Sequence, residues 1–352
     1  MHLPPELSQE NRPCNLVTGA LGFVGRHLVR SLTLAGIPVV GIDLPGRDGP
    51  PLRQVGEFTL QDQDPACPDF LAYEGPAGRF HYLACSLEDA GGLTELVGRI
   101  KPVMVYHLAA QSSAAHSFVD PAGTMDANLR GTLNLLEAVR SMPEASWPAV
   151  LSVGSCEEYG PHPREDQPLD ENTGLNPISP YAVSKVAQTL LCRQYVRAWQ
   201  LPVIMVRSFS HTGPGQDPRF AFPAFARQIA AAEKGRGPTE IATGDLSAVR
   251  DFLNVRDVVD AYRSLMKEGR PGEIYNVCSG RALTIREGLE IMLAEASCSI
   301  TVRTDPDRLR PADTPVMVGD NSKIKKETGW APEWDITQTL RDLLDEARRE
   351  LS

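Results

Sequence analysis

Three glycines spaced three residues apart, in Gly19-Ala20-Leu21-Gly22-Phe23-Val24-Gly25, follow the apolar run Asn15-Leu16-Val17-Thr18 and precede residues Val24, Leu28 and Leu32 at helical period. Strand, glycine turn and helix in that order leave the chain few ways to fold. The glycines permit a tight turn, let backbone N–H groups approach a diphosphate and keep the helix close to the strand, while the helix N-terminus favours negative charge. No Gly-Lys-Ser/Thr follows, which argues against an ATP-binding P-loop. The next apolar run, Val39-Val40-Gly41-Ile42-Asp43, completes a βαβ unit in about thirty residues. Asp43 ends that run 18 residues beyond Gly25, where a carboxylate binds ribose hydroxyls and repels a 2′-phosphate. This favours NAD(H), and Arg47, four residues on, softens the choice towards NADP(H).

The alternation continues through Phe80–Leu83, a helical stretch ending before Pro102, and the apolar Val103–Ala110. An amphipathic stretch from Met125 to Val139, a strand at Val150–Val153, a helix from Tyr181 to Trp199 and a strand at Val203–Val206 follow. Strands so uniformly apolar need cover on both faces, the mark of a parallel sheet between helical layers. The expected class is α/β, a Rossmann-type doubly wound parallel sheet with a smaller C-terminal lobe. At 352 residues and about 150 per domain, two domains are expected. Residues 13–208 form the NAD(P)-binding one, with later elements returning to it, and residues 209–352 mainly form the substrate lobe. The stretch 45–78, rich in Pro, Gly and Asp and without a clear period, reads as a lid or a disordered insertion.

Tyr181-Ala182-Val183-Ser184-Lys185 carries the second strong signal. Positions i and i+4 share a helix face, so the ammonium is expected near the phenol, favouring phenolate and making Tyr181 an acid or base near neutral pH. Of the eight tyrosines, only Tyr181 has a lysine at this spacing. The preceding strand runs into Gly154-Ser155-Cys156-Glu157-Glu158-Tyr159-Gly160, at a strand end where α/β proteins bind ligands. Ser155 is placed to hydrogen-bond a substrate oxygen beside Tyr181, and Glu157 to serve as a second acid or base. Gly-x-Ser-x-Gly is absent, which disfavours a nucleophilic serine. The seven histidines are scattered without metal-site spacing, so no metal is expected. Arg250, in Ser247-Ala248-Val249-Arg250-Asp251-Phe252, and Arg310, in Arg308-Leu309-Arg310-Pro311, are candidates for pairing a diphosphate.

A net charge of −10 argues against a nucleic-acid backbone or an anionic membrane as partner. No apolar run approaches the roughly 20 residues that span a bilayer, and the N-terminus lacks a signal-peptide pattern, so a cytoplasmic protein is expected. Seven cysteines, with no Cys-x-x-Cys, are expected as unbridged thiols, mostly in the core.

Taken together, the glycine triplet, Ser155, Tyr181 and Lys185 resemble the extended short-chain dehydrogenase/reductases, in the branch acting on nucleotide sugars. Ser179-Pro180-Tyr181, Gly213-Pro214-Gly215-Gln216, Ala248-Val249-Arg250-Asp251-Phe252, Tyr275-Asn276-Val277-Cys278-Ser279-Gly280 and Arg308-Leu309-Arg310-Pro311 look most like its reductases of GDP-linked 4-keto-6-deoxy sugars. The resemblance implies cofactor contacts at Gly19, Gly22, Phe23, Val24, Gly25, Asp43, Arg47, Ser86, Leu87, Leu108, Ala109, Ala110, Tyr181, Lys185 and Phe209. Substrate contacts are implied at Ser112, Ser155, Glu157, Ser210, Gln216, Arg250 and Arg310, and an organising role for Asn128. It further implies a homodimer and reduction of the C4 keto group of a GDP-linked sugar to give GDP-D-rhamnose. Alternatives are a GDP-mannose 4,6-dehydratase, a 4-epimerase or an NAD-sensing regulator. Three departures stand out: Ser210 where the family has Asn, Ser86 where it has Asp, and the insertion between Arg47 and Gly78.

Overall fold

The computed structural model describes residues 4, 13–44, 54–61, 67, 69–162, 167–306 and 314–351. The chain divides into two compact units, the first built from Met1–Glu158, Ser179–Arg207 and Tyr262–Tyr275, the second from Tyr159–Ile178, Ser208–Ala261 and Asn276–Ser352. A single cut near residue 208 does not describe this division. The stretch just after the Ser155 strand joins the second unit, and the late segment 262–275 returns to the first.

The first unit begins with β1 (Asn15–Thr18), α1 (Phe23–Leu34) and β2 (Val39–Asp43), the βαβ unit expected from the glycine pattern. Then come β3 (Gln54–Val55), β4 (Phe58–Leu60), β5 (Leu71–Gly75) and β6 (Gly78–Ala84). Helix α2 (Ala90–Ile100), β7 (Met104–His107), α3 (Ala114–Val119), α4 (Pro121–Met125), α5 (Gly131–Arg140), β8 (Ala149–Ser155), α6 (Pro180–Trp199) and β9 (Val203–Ser208) follow. In one ten-stranded sheet, β9, β8, β7, β1, β2 and β6 are neighbours in that order. Registers from β6 through β2, β1 and β7 to β8 are parallel. Every residue of β1 and β9 is buried, so the sheet is covered on both faces, as its unbroken apolar strands require. Leu16, Val40, Val105, Val150 and Met205 from the strands meet Leu96, Leu135 and Cys192 from the helices in one core.

The stretch 45–78 corrects an expectation. Among its described residues are three strands, and β3, β4 and β5 extend the sheet past β6 by antiparallel pairing. Aromatic packing holds β4 and β5 to β6: Tyr73 stacks on Phe80 at 5.1 Å, and Phe58 meets the same ring edge-on at 5.0 Å. An insertion read as a lid or a disordered loop is, where described, the sheet's edge.

The second unit contributes β10 (Ser210–Thr212), α7 (Ala221–Glu233), β11 (Glu240–Thr243), β12 (Val249–Asn254), α8 (Val255–Glu268) and β13 (Ile274–Val277). The first unit claims the end of α8 and the start of β13, which lies beside β9 in the large sheet. After them run β14 (Ala282–Thr284), α9 (Ile285–Ala294), β15 (Thr301–Thr304), β16 (Val316–Met317), α10 (Ser322–Thr328) and α11 (Ile336–Glu350). Phe222, Phe225, Ile229, Leu289, Leu340 and Leu344 give this unit its own core.

Candidate active site

The glycine loop is shaped by what its side chains would strike. Gly19 has φ +72°, and a Cβ there would lie 2.9 Å from the Ala109 nitrogen, so the loop and the stretch after β7 touch backbone to backbone. A Cβ on Gly25 would come within 2.0 Å of the Gly19 carbonyl oxygen. No side chain caps α1, whose N-cap is Gly22 and whose first residues are Phe23 and Val24. A helix N-terminus without a side-chain cap, beside a glycine-rich loop, is a cradle for a diphosphate. Asp43 fastens the end of β2 to it, its carboxylate accepting the Leu21 N–H at 3.1 Å and the Leu44 N–H at 2.9 Å. Burial pushes that carboxyl above its ordinary value, and those two N–H groups oppose the shift. Arg47 lies outside the described residues.

Three loops converge beyond this cradle. Thr18 at the end of β1 receives the Leu108 N–H on its carbonyl at 3.3 Å and the Ala109 N–H on its hydroxyl at 3.1 Å. Ala110 is half-buried, and Ser112 is exposed in the same connection. Asn128 lies in a π-helical turn, Asp126–Arg130, a local widening that often marks functional positions. Its side-chain oxygen accepts the Gln111 N–H at 2.7 Å, and its amide donates to the Gln111 carbonyl at 3.1 Å and to Ser184 Oγ, on α6, at 2.9 Å. Asn128 therefore ties the loop after β7 to the helix carrying Tyr181 and Lys185. Ser86 is half-buried and caps the Glu88 N–H at 3.2 Å, and buried Leu87 is held by Asn134 at 2.8 Å through its carbonyl.

Ser155 ends β8 and Tyr181 sits in the first turn of α6, whose cap is Ser179 with Pro180 next. Both residues are buried. The Ser155 hydroxyl accepts the Glu157 N–H at 3.2 Å, and Glu157 accepts the Ser179 hydroxyl at 3.4 Å. Burial drives the Tyr181 phenol well above its ordinary value, the Glu157 carboxylate adds to the rise, and a hydrogen bond with Ser155 opposes it. Burial thus outweighs the lowering expected from helical spacing. Lys185 donates instead to the Val153 carbonyl at 2.9 Å and to Gln188 at 3.0 Å, and burial lowers it to about 8. Spacing puts the two groups on one face, but burial shifts both, the phenol upward and the ammonium downward.

In the second unit, Phe209 is fully buried, donates its N–H to the Val277 carbonyl at 2.9 Å and packs near Tyr159. Ser210, half-buried, pairs with Phe252 across β10 and β12. Gln216 secures its own turn, accepting the Thr212 hydroxyl at 2.7 Å and donating to the His211 carbonyl at 3.1 Å, so a substrate contact would have to share that amide. Arg250 donates to the Val249 carbonyl at 2.8 Å, and Arg310 lies outside the described residues.

Several polar groups were missed from sequence. Glu158, buried beneath Ser155, is paired with Arg207 at 3.1 Å, and Gln188 holds Lys185. Asp251 collects the Ser279 N–H at 2.7 Å, the Ser279 hydroxyl at 2.6 Å and the Gly280 N–H at 2.8 Å. One signal was legible: Arg207 stands alone among the apolar residues of β9, and a lone charge inside a buried strand demands a partner. Its partner lies 49 residues away.

Comparison with known proteins agrees with this geometry. Residues 16–343 match the family described as GDP-mannose 4,6 dehydratase. The chain is 35% identical to the GDP-6-deoxy-D-mannose reductase of Pseudomonas aeruginosa, over 94% of this chain and 95% of that one. It is 31% identical to GDP-mannose 4,6 dehydratase 2 of Arabidopsis thaliana, over 97% and 89%. The structure superposes on RMD from Pseudomonas aeruginosa complexed with NADPH, with a TM-score of 0.77 and 32% identity, covering 96% of this chain and 99% of the other. Among the described residues no helix is long and apolar enough to cross a membrane. The chain belongs to the GDP-mannose 4,6-dehydratase family of extended short-chain dehydrogenase/reductases.

Proposed function

We propose that the protein is an NAD(P)H-dependent reductase of nucleotide-linked 4-keto-6-deoxy sugars, converting GDP-4-keto-6-deoxy-D-mannose to GDP-D-rhamnose. One observation carries the reading: Tyr181 is buried in the first turn of α6, and Ser155, its partner in a hydrogen bond, is buried at the end of an inner strand. A carbonyl becoming an alkoxide needs a proton, and a phenol held in its acid form has one to give. The 35% identity to a GDP-6-deoxy-D-mannose reductase supports the same choice.

In this reading Gly19, Gly22, Gly25 and the first turn of α1 would hold the cofactor diphosphate, Asp43 its adenosine ribose, and the Leu108–Ala110 stretch its inner half. A nicotinamide held there would supply hydride for reduction of the carbonyl. Ser155 donates to the substrate oxygen and keeps it within reach of Tyr181. Tyr181 passes its proton to that oxygen as charge develops, and Lys185, fixed by Val153 and Gln188, provides a nearby positive charge. Glu157, beside the phenol, opposes its ionisation. Arg250, with Ser210 and Gln216, is assigned to the nucleotide sugar.

The test uses purified protein and two incubations. GDP-4-keto-6-deoxymannose with NADPH or NADH is expected to consume cofactor and yield a GDP-6-deoxyhexose identified by chromatography and NMR. Conversion of GDP-mannose without net cofactor use would instead make the protein a dehydratase, the activity named for the Arabidopsis relative.

The same reading includes a homodimer formed through α5 and α6, where Leu133, Val183 and Leu190 are exposed apolar residues. A cytoplasmic location suits a chain whose seven cysteines form no disulfide and six of which are buried.

A further inference from the structure

Glu158 takes no part in the proton transfer above, yet its surroundings are closely specified. Fully buried, it accepts the Ser155 N–H at 3.0 Å, the Thr189 hydroxyl at 3.2 and 3.1 Å on its two oxygens, and Arg207 Nε at 3.1 Å. Space for it is reserved in the strand. A Cβ on Gly154 would stand 2.3 Å from Glu158 Oε1 and 2.7 Å from the Val206 carbonyl oxygen. A buried ion pair is a poor source of net stability, because apolar residues of similar volume often do as well or better. Stability alone therefore does not account for three polar side chains, Glu158, Thr189 and Arg207, gathered under one serine.

We propose that Glu158 is a positioning residue for the reduction, anchored by Arg207 and Thr189 and fixing the Ser155 backbone so that the serine hydroxyl faces Tyr181. The proposal rests on reading Ser155 and Tyr181 as the carbonyl-binding and proton-donating pair. The hydrogen bond reaches Ser155 through its own N–H, one residue frame from the hydroxyl it must aim. An error of about 1 Å in such a group costs on the order of 100-fold in rate. Glu158 has a second, electrostatic effect. Lys185 is faced by Glu158, Cys192 and His107 from three different elements, and the Glu158 charge is the largest influence keeping it protonated against burial.

Two variants test the idea: Glu158→Gln, which keeps an oxygen for the Ser155 N–H but removes the charge, and the double variant Glu158→Leu/Arg207→Met, which replaces the ion pair by apolar volume. Activity with the keto sugar, its pH profile and hydrogen exchange at the Ser155 amide are measured in each. The double variant is expected to fold, lose about 10- to 100-fold in kcat with KM within about twofold, and exchange the Ser155 amide faster. Glu158→Gln is expected to keep that amide protected and to move the alkaline fall in kcat to lower pH. A folded double variant with kcat within about twofold of the parent and an unchanged Ser155 amide would overturn the proposal, as would failure of both variants to fold, which would make the pair purely structural. Exchange at Ser155 needs no substrate. If the parent reduces no 4-keto sugar but the double variant still loses this protection, the functional reading fails while the positioning of Ser155 stands.

Discussion

Lys185 Nζ lies 6.0 Å from the centre of the Tyr181 ring, one helical turn along α6, but its hydrogen bonds go to the Val153 carbonyl and Gln188. The lysine is thus a fixed charge in the wall of the site, and burial leaves Tyr181 as the neutral acid. The phenol then keeps its proton until charge develops on a bound carbonyl oxygen.

Replacing Tyr181 with Phe removes that proton and little volume. Turnover of the keto sugar is expected to fall by about 100- to 10,000-fold, the usual span for a lost general acid. Cofactor affinity, read by fluorescence titration of NADPH, and the melting temperature should stay close to those of the parent. Retention of turnover would remove Tyr181 from the mechanism.

Lys185, lowered to about 8, gives a pH dependence whose sign can be worked out. The ammonium form predominates below pH 8, so kcat should decline as pH rises through about 8. Its contribution to stability runs the other way. Between about 8 and the ordinary value of 10.5 the unfolded chain holds the proton that the folded chain has released. The destabilisation due to Lys185 is therefore full below that window and disappears as pH rises across it. A pH–rate profile beside urea titrations of the parent and Lys185→Met separates the two effects.

The parts of the site readable from sequence are those set by local spacing. Gly19, Gly22 and Gly25 lie in one turn, and Tyr181 and Lys185 share one helix face, so chain geometry alone brings them together. What could not be read depends on partners far apart in the chain: Glu158 with Arg207, Asn128 with Ser184, Asp251 with Ser279. The protonation state of Tyr181 failed for the same reason, since burial is a property of the assembled fold. In the fold itself, long apolar strands were legible because their pattern repeats. The short strands β3 to β5 were not, because two- to five-residue strands among Pro, Gly and Asp look like loop, and the Phe80 ring on which β4 and β5 pack lies outside them in the chain.

Cofactor choice should respond to Asp43. Its half-buried carboxylate braces Leu21 and Leu44, and in the proposed reading it stands where a 2′-phosphate would come. Asp43→Asn keeps one accepting oxygen and removes the charge. The ratio of kcat/KM for NADPH over NADH is expected to rise on the order of tenfold, a modest Coulomb energy for charges near a protein surface. An unchanged ratio would place the adenosine ribose away from Asp43.

Stability in acid should be limited in part by His107. Its ring is fully enclosed, with Nδ1 2.9 Å from the Thr18 hydroxyl and Nε2 2.8 Å from that of Thr132, and burial lowers it to about 3. The ordinary value is 6.5, so between about 6.5 and 3 the unfolded chain binds a proton that the folded chain refuses. Stability then falls as pH drops through that window, with a slope from this residue of up to about 1.4 kcal/mol per pH unit. His211, in the second unit, is lowered too and adds to the slope of the parent. Urea titrations of parent and His107→Gln at successive pH values isolate the share of His107. The variant should start less stable at neutral pH, having lost a buried hydrogen-bond bridge, and should then lose stability more slowly than the parent on acidification. Parallel slopes in the two proteins would mean that His107 accepts a proton in the folded state, and that Thr18 and Thr132 rearrange to allow it.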